Sequence, residues 1–159
     1  MPGIRRLNHA VLYVSDARRS AEFYCGVLDF TVVQDAAGGQ AIFVRAPGSE
    51  NHHDLGLFSI GDVPAARGTG LYHLAWQVDT IDELAAIRAR LVEVGSLSGE
   101  SDHGVSKSLY ARDPDGIEFE VMWMVPPEHW GTYATEAVVA PLDIGAEHSR
   151  WSGVATRVE

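Results

Sequence analysis

Two stretches of the chain carry the same alternation of apolar and polar positions. Leu7-Asn8-His9-Ala10-Val11-Leu12-Tyr13-Val14 and Leu71-Tyr72-His73-Leu74-Ala75-Trp76-Gln77-Val78 share Leu, His and Val at an offset of 64, His73 against His9. Both are short, apolar and rich in β-formers, so both predict a strand. A helical period follows each. In the first copy Ser15 or Asp16 can cap a helix running through about Gly26, with Ser20, Tyr24, Val27 and Leu28 on one face. In the second, Thr80 and Glu83 have capping-box spacing, and Leu84, Ile87, Leu91 and Val94 repeat at helical period. Gly95 stands where a C-terminal cap belongs.

More strands follow each helix. The first copy offers Phe30–Gln34, Gln40–Arg45 and Asp54–Ile60, with Gly38-Gly39 as a hairpin turn. The second offers roughly Lys107–Arg112 and Ile117–Met124 around the turn Asp113-Pro114-Asp115-Gly116; no clear strand shows in Ser96–Gly104. The pattern is therefore βαβββ twice, an α+β chain with modules at about 5–60 and 70–126 and a linker at Gly61–Thr69. Neither half can close a sheet alone. The expectation is one domain over 1–126, a pseudo-twofold, partly open eight-stranded barrel around a central metal cleft. Residues 127–159 do not repeat and read as a C-terminal extension, draped over the cleft or packed on a neighbouring subunit.

Composition narrows the function classes. With 12 Lys and Arg against 22 Asp and Glu the net charge is −10, the wrong sign for nucleic acid or an anionic membrane surface. The one cysteine, Cys25, makes no intramolecular disulfide and no Cys-based zinc site. No apolar run approaches the roughly 20 residues of a transmembrane helix. Met1-Pro2-Gly3-Ile4-Arg5-Arg6 leads into no secretory h-region, so the expected location is the cytoplasm.

The repeat also brings candidate chemistry together. His9 and His73 occupy one position of the two copies, on matching strands facing one cleft. A carboxylate from the last strand completes a divalent-ion site, and Glu118 and Glu120 share the parity for it. The position 64 residues before Glu120 is Gly56, which supplies no fourth donor and leaves open space. Two His, one carboxylate and vacant positions describe the facial triad that suits non-haem Fe(II). Trp76, Trp123 and Trp130 are candidates for pocket walls or core, and Gln77 and Lys107 for reaching the cleft.

The two His-bearing segments, with Asp113-Pro114-Asp115-Gly116-Ile117-Glu118-Phe119-Glu120, resemble the vicinal oxygen chelate superfamily over about residues 5–126. That superfamily includes glyoxalase I, bleomycin-resistance proteins and type I extradiol dioxygenases. The turn with a Glu four residues later selects Glu120 over Glu118 as ligand. The catalytic module of the extradiol enzymes is most similar. The resemblance implies metal ligands His9, His73 and Glu120 for Fe(II) or Mn(II), and catalytic roles for His53, His103 and Tyr110. His53 would be the acid/base, with His103 and Tyr110 on substrate oxygens. The implied reaction is ring cleavage of a catechol-type aromatic by dioxygen, in a one-domain enzyme that pairs as a homodimer. The same fold also hosts drug-binding resistance proteins and metal-dependent isomerases or lyases. A full triad argues against the first, and Gly56 in the fourth slot against glyoxalase I.

Overall fold

Backbone pairing repeats with the same period as the sequence. In the computed structural model, which describes residues 3–63 and 68–156, the chain forms two units. One comprises Met1–Thr69 with Asp113–Asp115, the other Gly70–Arg112 with Gly116–Glu159. The first contains β1 (Ala10–Val14), α1 (Ala17–Leu28), β2 (Thr31–Ala36), β3 (Ala41–Arg45) and β4 (Leu55–Ser59). The second contains β5 (Leu74–Val78), α2 (Ile81–Glu93), β6 (Leu97–Asp102), β7 (Ser106–Arg112), β8 (Glu118–Met124) and α3 (Ile144–Trp151). Each unit has one four-stranded mixed sheet, ordered β1-β4-β3-β2 and β5-β8-β7-β6. The first strand of each lies parallel to the last: Val11 pairs with Gly56 and Ala75 with Glu120, so the offset of the sequence repeat is also that of the ladders. The α+β class and the tandem βαβββ order are as expected. Of the linker Gly61–Thr69, residues 64–67 lie outside the described residues, as do 1–2 and 157–159.

Local chemistry explains the elements. Asp16 is the N-cap of α1, its carboxylate accepting from the amides of Arg18 and Arg19. The helix runs two residues past the expected Gly26, because Val27 and Leu28 bury with Ala17, Ser20, Ala21 and Tyr24. It stops at Asp29, which is left-handed. The capping box of Thr80 and Glu83 is formed, and Gly95 takes a positive φ of 69° just past α2. Leu84, Ile87 and Leu91 are buried as the period requires, but Val94 is exposed: it lies beyond the helix's last turn.

Two expectations about strands change. β1 and β5 begin at Ala10 and Leu74, so His9 and His73 precede the strands and do not lie on them. The ladder of β1 starts with the Ala10 amide donating to the Asp54 carbonyl, and among the described residues no partner strand reaches further back. The polar stretch Leu97–Asp102 is a strand after all. It lies at a sheet edge, with a register shift between Leu97 and Gly99, and its charges are paired: Glu100 with Arg88, Asp102 with Lys107.

The C-terminal extension packs on the second unit. Its α3 lies against α2, with the Trp151 ring 5.8 Å from that of Trp123. Asp82 accepts from the Ser152 hydroxyl and the Gly153 amide, at 2.6 and 2.8 Å. Asp102 and Ala140 exchange two backbone hydrogen bonds of 2.8 and 2.9 Å. Among the described residues no helix is long and apolar enough to cross a membrane.

Candidate metal and substrate site

In the first unit the loop before β4 places the histidines. Asn51 and Asp54 are buried and form its frame: Asn51 Nδ2 donates to Asp54 Oδ1 at 2.7 Å and to the Asn8 carbonyl at 2.8 Å. Asp54 also accepts from the Ala46 amide and the Ser49 hydroxyl. This frame ties the loop to the residue before His9. His53 then sits with its ring centroid 4.6 Å from His9 and 4.9 Å from Phe43. His52 Nδ1 lies 3.0 Å from His53 Nδ1. Burial first, then the neighbouring rings of His9 and His52, push the His53 pKa below its ordinary value against the pull of Asp54.

His9 is solvent-exposed, and its Nδ1 lies 2.9 Å from Asn8 Oδ1. A carboxamide oxygen only accepts, so Nδ1 carries a proton and, in the neutral ring, Nε2 keeps its lone pair free. That is the tautomer a ligating imidazole adopts when a polar neighbour orients it.

In the second unit, His73 and Glu120 meet. His73 Nε2 lies 3.1 Å from Glu120 Oε2, and Glu120 is only 8% exposed. Two donors each about 2.1 Å from one ion, at a right angle, are themselves about 3.0 Å apart. The pair thus has the spacing of neighbouring ligands, and the donor set, one imidazole and one carboxylate, suits a divalent ion. His73 Nδ1 is buried and, among the described residues, has no hydrogen-bond partner. Glu118, the rival of equal parity, is instead engaged by Arg112 at 2.9 Å.

Tyr110 and His103 stand next to this pair. Tyr110 is the register partner of Glu120 across β7 and β8, and its ring is 5.8 Å from that of His73. Burial first, and the Glu120 carboxylate next, raise its hydroxyl pKa. His103 Nε2 lies 2.9 Å from the Tyr110 hydroxyl, and its Nδ1 lies 3.0 Å from the Val138 carbonyl.

The sequence-derived residues thus fall into two groups, His9 with His53 and His73 with Glu120, Tyr110 and His103. Within either unit, no three His, Cys, Asp or Glu side chains among the described residues gather to hold an ion. Gly56 is not beside open space: a Cβ there would touch Phe43, Phe58 and Val11 at 3.4 Å each, so aromatic rings fill the slot. Lys107 does not point to the Tyr110–Glu120 face. It is the register partner of Trp123 on the opposite face, and its ammonium lies 2.6 Å from Asp102 and 3.5 Å from Glu147. Gln77 donates to the Thr156 carbonyl. Trp123 is core, and Trp130 donates to the Val125 carbonyl. Sequence reasoning missed Asn8, Asn51 and Val138. Asn8 adjoins His9 and was open to notice; a main-chain acceptor such as Val138 leaves no mark in a sequence.

The chain is 33% identical over 131 residues to a catechol-2,3-dioxygenase of Bacillus subtilis, covering 78% of this chain and 43% of that protein. It is 29% identical over 139 residues to biphenyl-2,3-diol 1,2-dioxygenase 2 of Rhodococcus globerulus, covering 84% of this chain and 71% of the relative. So it spans less than half the length of the Bacillus relative. Among solved structures, a glyoxylase/bleomycin resistance protein/dioxygenase domain from Frankia sp. EAN1pec matches with a TM-score of 0.67 at 22% identity, covering 81% of this chain and 98% of that one. The fosfomycin resistance protein FosX of Listeria monocytogenes matches with a TM-score of 0.62 at 21% identity, over 80% and 99%. At such identities these two carry the fold alone. The family profile for the Glyoxalase/Bleomycin resistance protein/Dioxygenase superfamily matches residues 6–121, and the chain belongs to that superfamily.

Proposed function

We propose that the protein is a metal-dependent extradiol dioxygenase that opens the ring of a catechol-type aromatic. The observation that carries this reading is the pairing of His73 Nε2 with the buried Glu120 carboxylate at 3.1 Å. Relatives named for catechol and biphenyl-diol cleavage support it, one of them a manganese-dependent 2,3-dihydroxybiphenyl 1,2-dioxygenase of Geobacillus genomosp. 3 at 25% identity.

In this reading His9, His73 and Glu120 hold Fe(II) or Mn(II). The bound ion supplies a chelation point for two vicinal oxygens and a coordination position for dioxygen. The chain's own groups do the rest. Asn8 orients the His9 ring through its Nδ1–H. His53 moves a proton to and from the reacting oxygens, a task that suits an imidazole whose pKa is lowered by burial and by its neighbours. Tyr110 and His103 position the substrate oxygens. Both atoms of dioxygen enter the product as the carbon–carbon bond beside a hydroxyl breaks, so no external reductant is needed.

The test is oxygen uptake by anaerobically Fe(II)- or Mn(II)-loaded protein with catechol, substituted catechols and 2,3-dihydroxybiphenyl. The account expects oxygen consumption and a yellow ring-opened product with at least one of them. A loaded protein that consumes no oxygen across the panel, yet binds a drug regardless of Glu120→Ala, would replace it with a binding function.

A further inference from the structure

The C-terminal extension ends up against the loop that carries His103, and three separate contacts hold it there. Asp102 and Ala140 exchange backbone hydrogen bonds of 2.8 and 2.9 Å. The Tyr133 ring lies where a Cβ on Gly104 would be, and Gly104 has a positive φ of 74°. The Val138 carbonyl lies 3.0 Å from His103 Nδ1.

That last contact has a chemical consequence. A carbonyl oxygen has no proton to give, so His103 Nδ1 must be the donor. In the neutral ring Nε2 then carries only a lone pair, and its partner at 2.9 Å is the Tyr110 hydroxyl. The Tyr110 proton is committed to His103. What Tyr110 has left, on the side of His73 and Glu120, is lone pairs.

We propose that residues 130–140 of the extension are a positioning element of the site. The Val138 carbonyl fixes the His103 tautomer, His103 fixes the Tyr110 hydroxyl, and Tyr110 thereby selects ligands that present a hydrogen-bond donor. The consequence for substrate, which rests on the dioxygenase reading, is a preference for a free phenolic hydroxyl over its methyl ether at this position. Neither His103 nor Val138 needs to touch the ligand for this.

The tautomer is read directly by long-range ¹H–¹⁵N NMR of His-labelled, metal-free, full-length protein at about pH 8, where no turnover is involved. The expected spectrum for His103 has a protonated Nδ1 and a bare Nε2. A protonated Nε2 overturns the proposal. Two variants then loosen the element. Ala140→Pro removes the amide that bonds the Asp102 carbonyl and restrains Val139. Tyr133→Ala, at a half-exposed position, removes the ring over Gly104 and leaves the bridge alone. Each is expected to mix the His103 tautomers and, in loaded enzyme, to raise the catechol KM about fivefold while kcat changes by less than about twofold, the size of one ordinary hydrogen bond. Each should also narrow the preference for catechol over 2-methoxyphenol as a competing ligand. Should Ala140→Pro prove unfolded, Tyr133→Ala and the wild-type spectrum still decide. Variants with unchanged ring spectra and unchanged KM overturn the proposal. Failure of the dioxygenase reading looks different: the wild-type tautomer is as expected, but no catechol supports oxygen uptake.

Discussion

Asp115 belongs to the turn between β7 and β8, yet its segment, Asp113–Asp115, packs in the first unit. Its carboxylate receives the Ser15 amide at 3.1 Å, the Ser15 hydroxyl at 2.6 Å and the Arg19 guanidinium at 2.6 Å. Ser15 immediately precedes the N-cap of α1, so this carboxylate anchors the start of that helix. Asp115→Ala removes all of these acceptors at once. Hydrogen bonds to a charged group are worth about 1.5–3 kcal/mol each where they are desolvated. Arg19 is half exposed, so its share is nearer 0.2–1 kcal/mol. The expected loss is about 3 kcal/mol, or a Tm lower by about 6–12 °C in a chain of this size. Asp115→Asn keeps an acceptor without the charge, and about half the loss is expected. The pH dependence follows from the titration. Burial raises the Asp115 carboxyl, but the Ser15 hydroxyl and amide, with Arg19, outweigh it and hold the pKa below the usual 3.8. A carboxyl with a depressed folded-state pKa contributes stability in full above its unfolded value, and that contribution is lost as pH falls through the folded value. Urea unfolding followed by circular dichroism at pH 7 and at steps below pH 4 is the assay. The gap between wild type and Asp115→Asn should shrink on acidification. A loss under about 1 kcal/mol for Asp115→Ala, or a gap that persists unchanged to the lowest pH, would refute the reasoning.

Three further perturbations probe other parts. Lys107→Met removes the buried ammonium that the half-buried carboxylates of Asp102 and Glu147 share, and urea unfolding should show a loss of about 1.5–3 kcal/mol, with faster proteolysis in the C-terminal extension. Gly104→Ala places a side chain at positive φ against the Tyr133 ring, and should cost at least about 1–2 kcal/mol by thermal unfolding. His53→Gln should lower kcat with catechol by about 10²–10⁴-fold while leaving metal content unchanged, measured by oxygen electrode and metal analysis; intact turnover would move the acid/base role elsewhere.

Much of the fold was legible because the repeat exposes it twice. Strand, capped helix and closing strands recur at one offset, and the ladders of β1–β4 and β5–β8 keep that offset residue for residue. The losses have physical causes. β6 hid because its sequence is polar, and its charges are tolerated only through partners, Arg88 and Lys107, that periodicity does not reveal. His9 and His73 read as strand residues because apolar pattern does not mark where a ladder runs out of partner. Gly56 read as a gap because the sequence does not show that Phe43 and Phe58 turn their rings onto it. At the site, parity left Glu118 and Glu120 equal. In the structure Arg112 holds the first and His73 faces the second. The extension was illegible, since what it does to His103 passes through a main-chain carbonyl.

The measurement that bears most directly on the central claim is metal stoichiometry after anaerobic reconstitution, on wild type and on His9→Ala, His73→Ala and Glu120→Ala separately. The account predicts one Fe(II) or Mn(II) per wild-type chain and a fall in affinity of at least about a hundredfold in every variant. A wild-type chain that retains no ion, or a His9→Ala chain that binds as tightly as wild type, contradicts it.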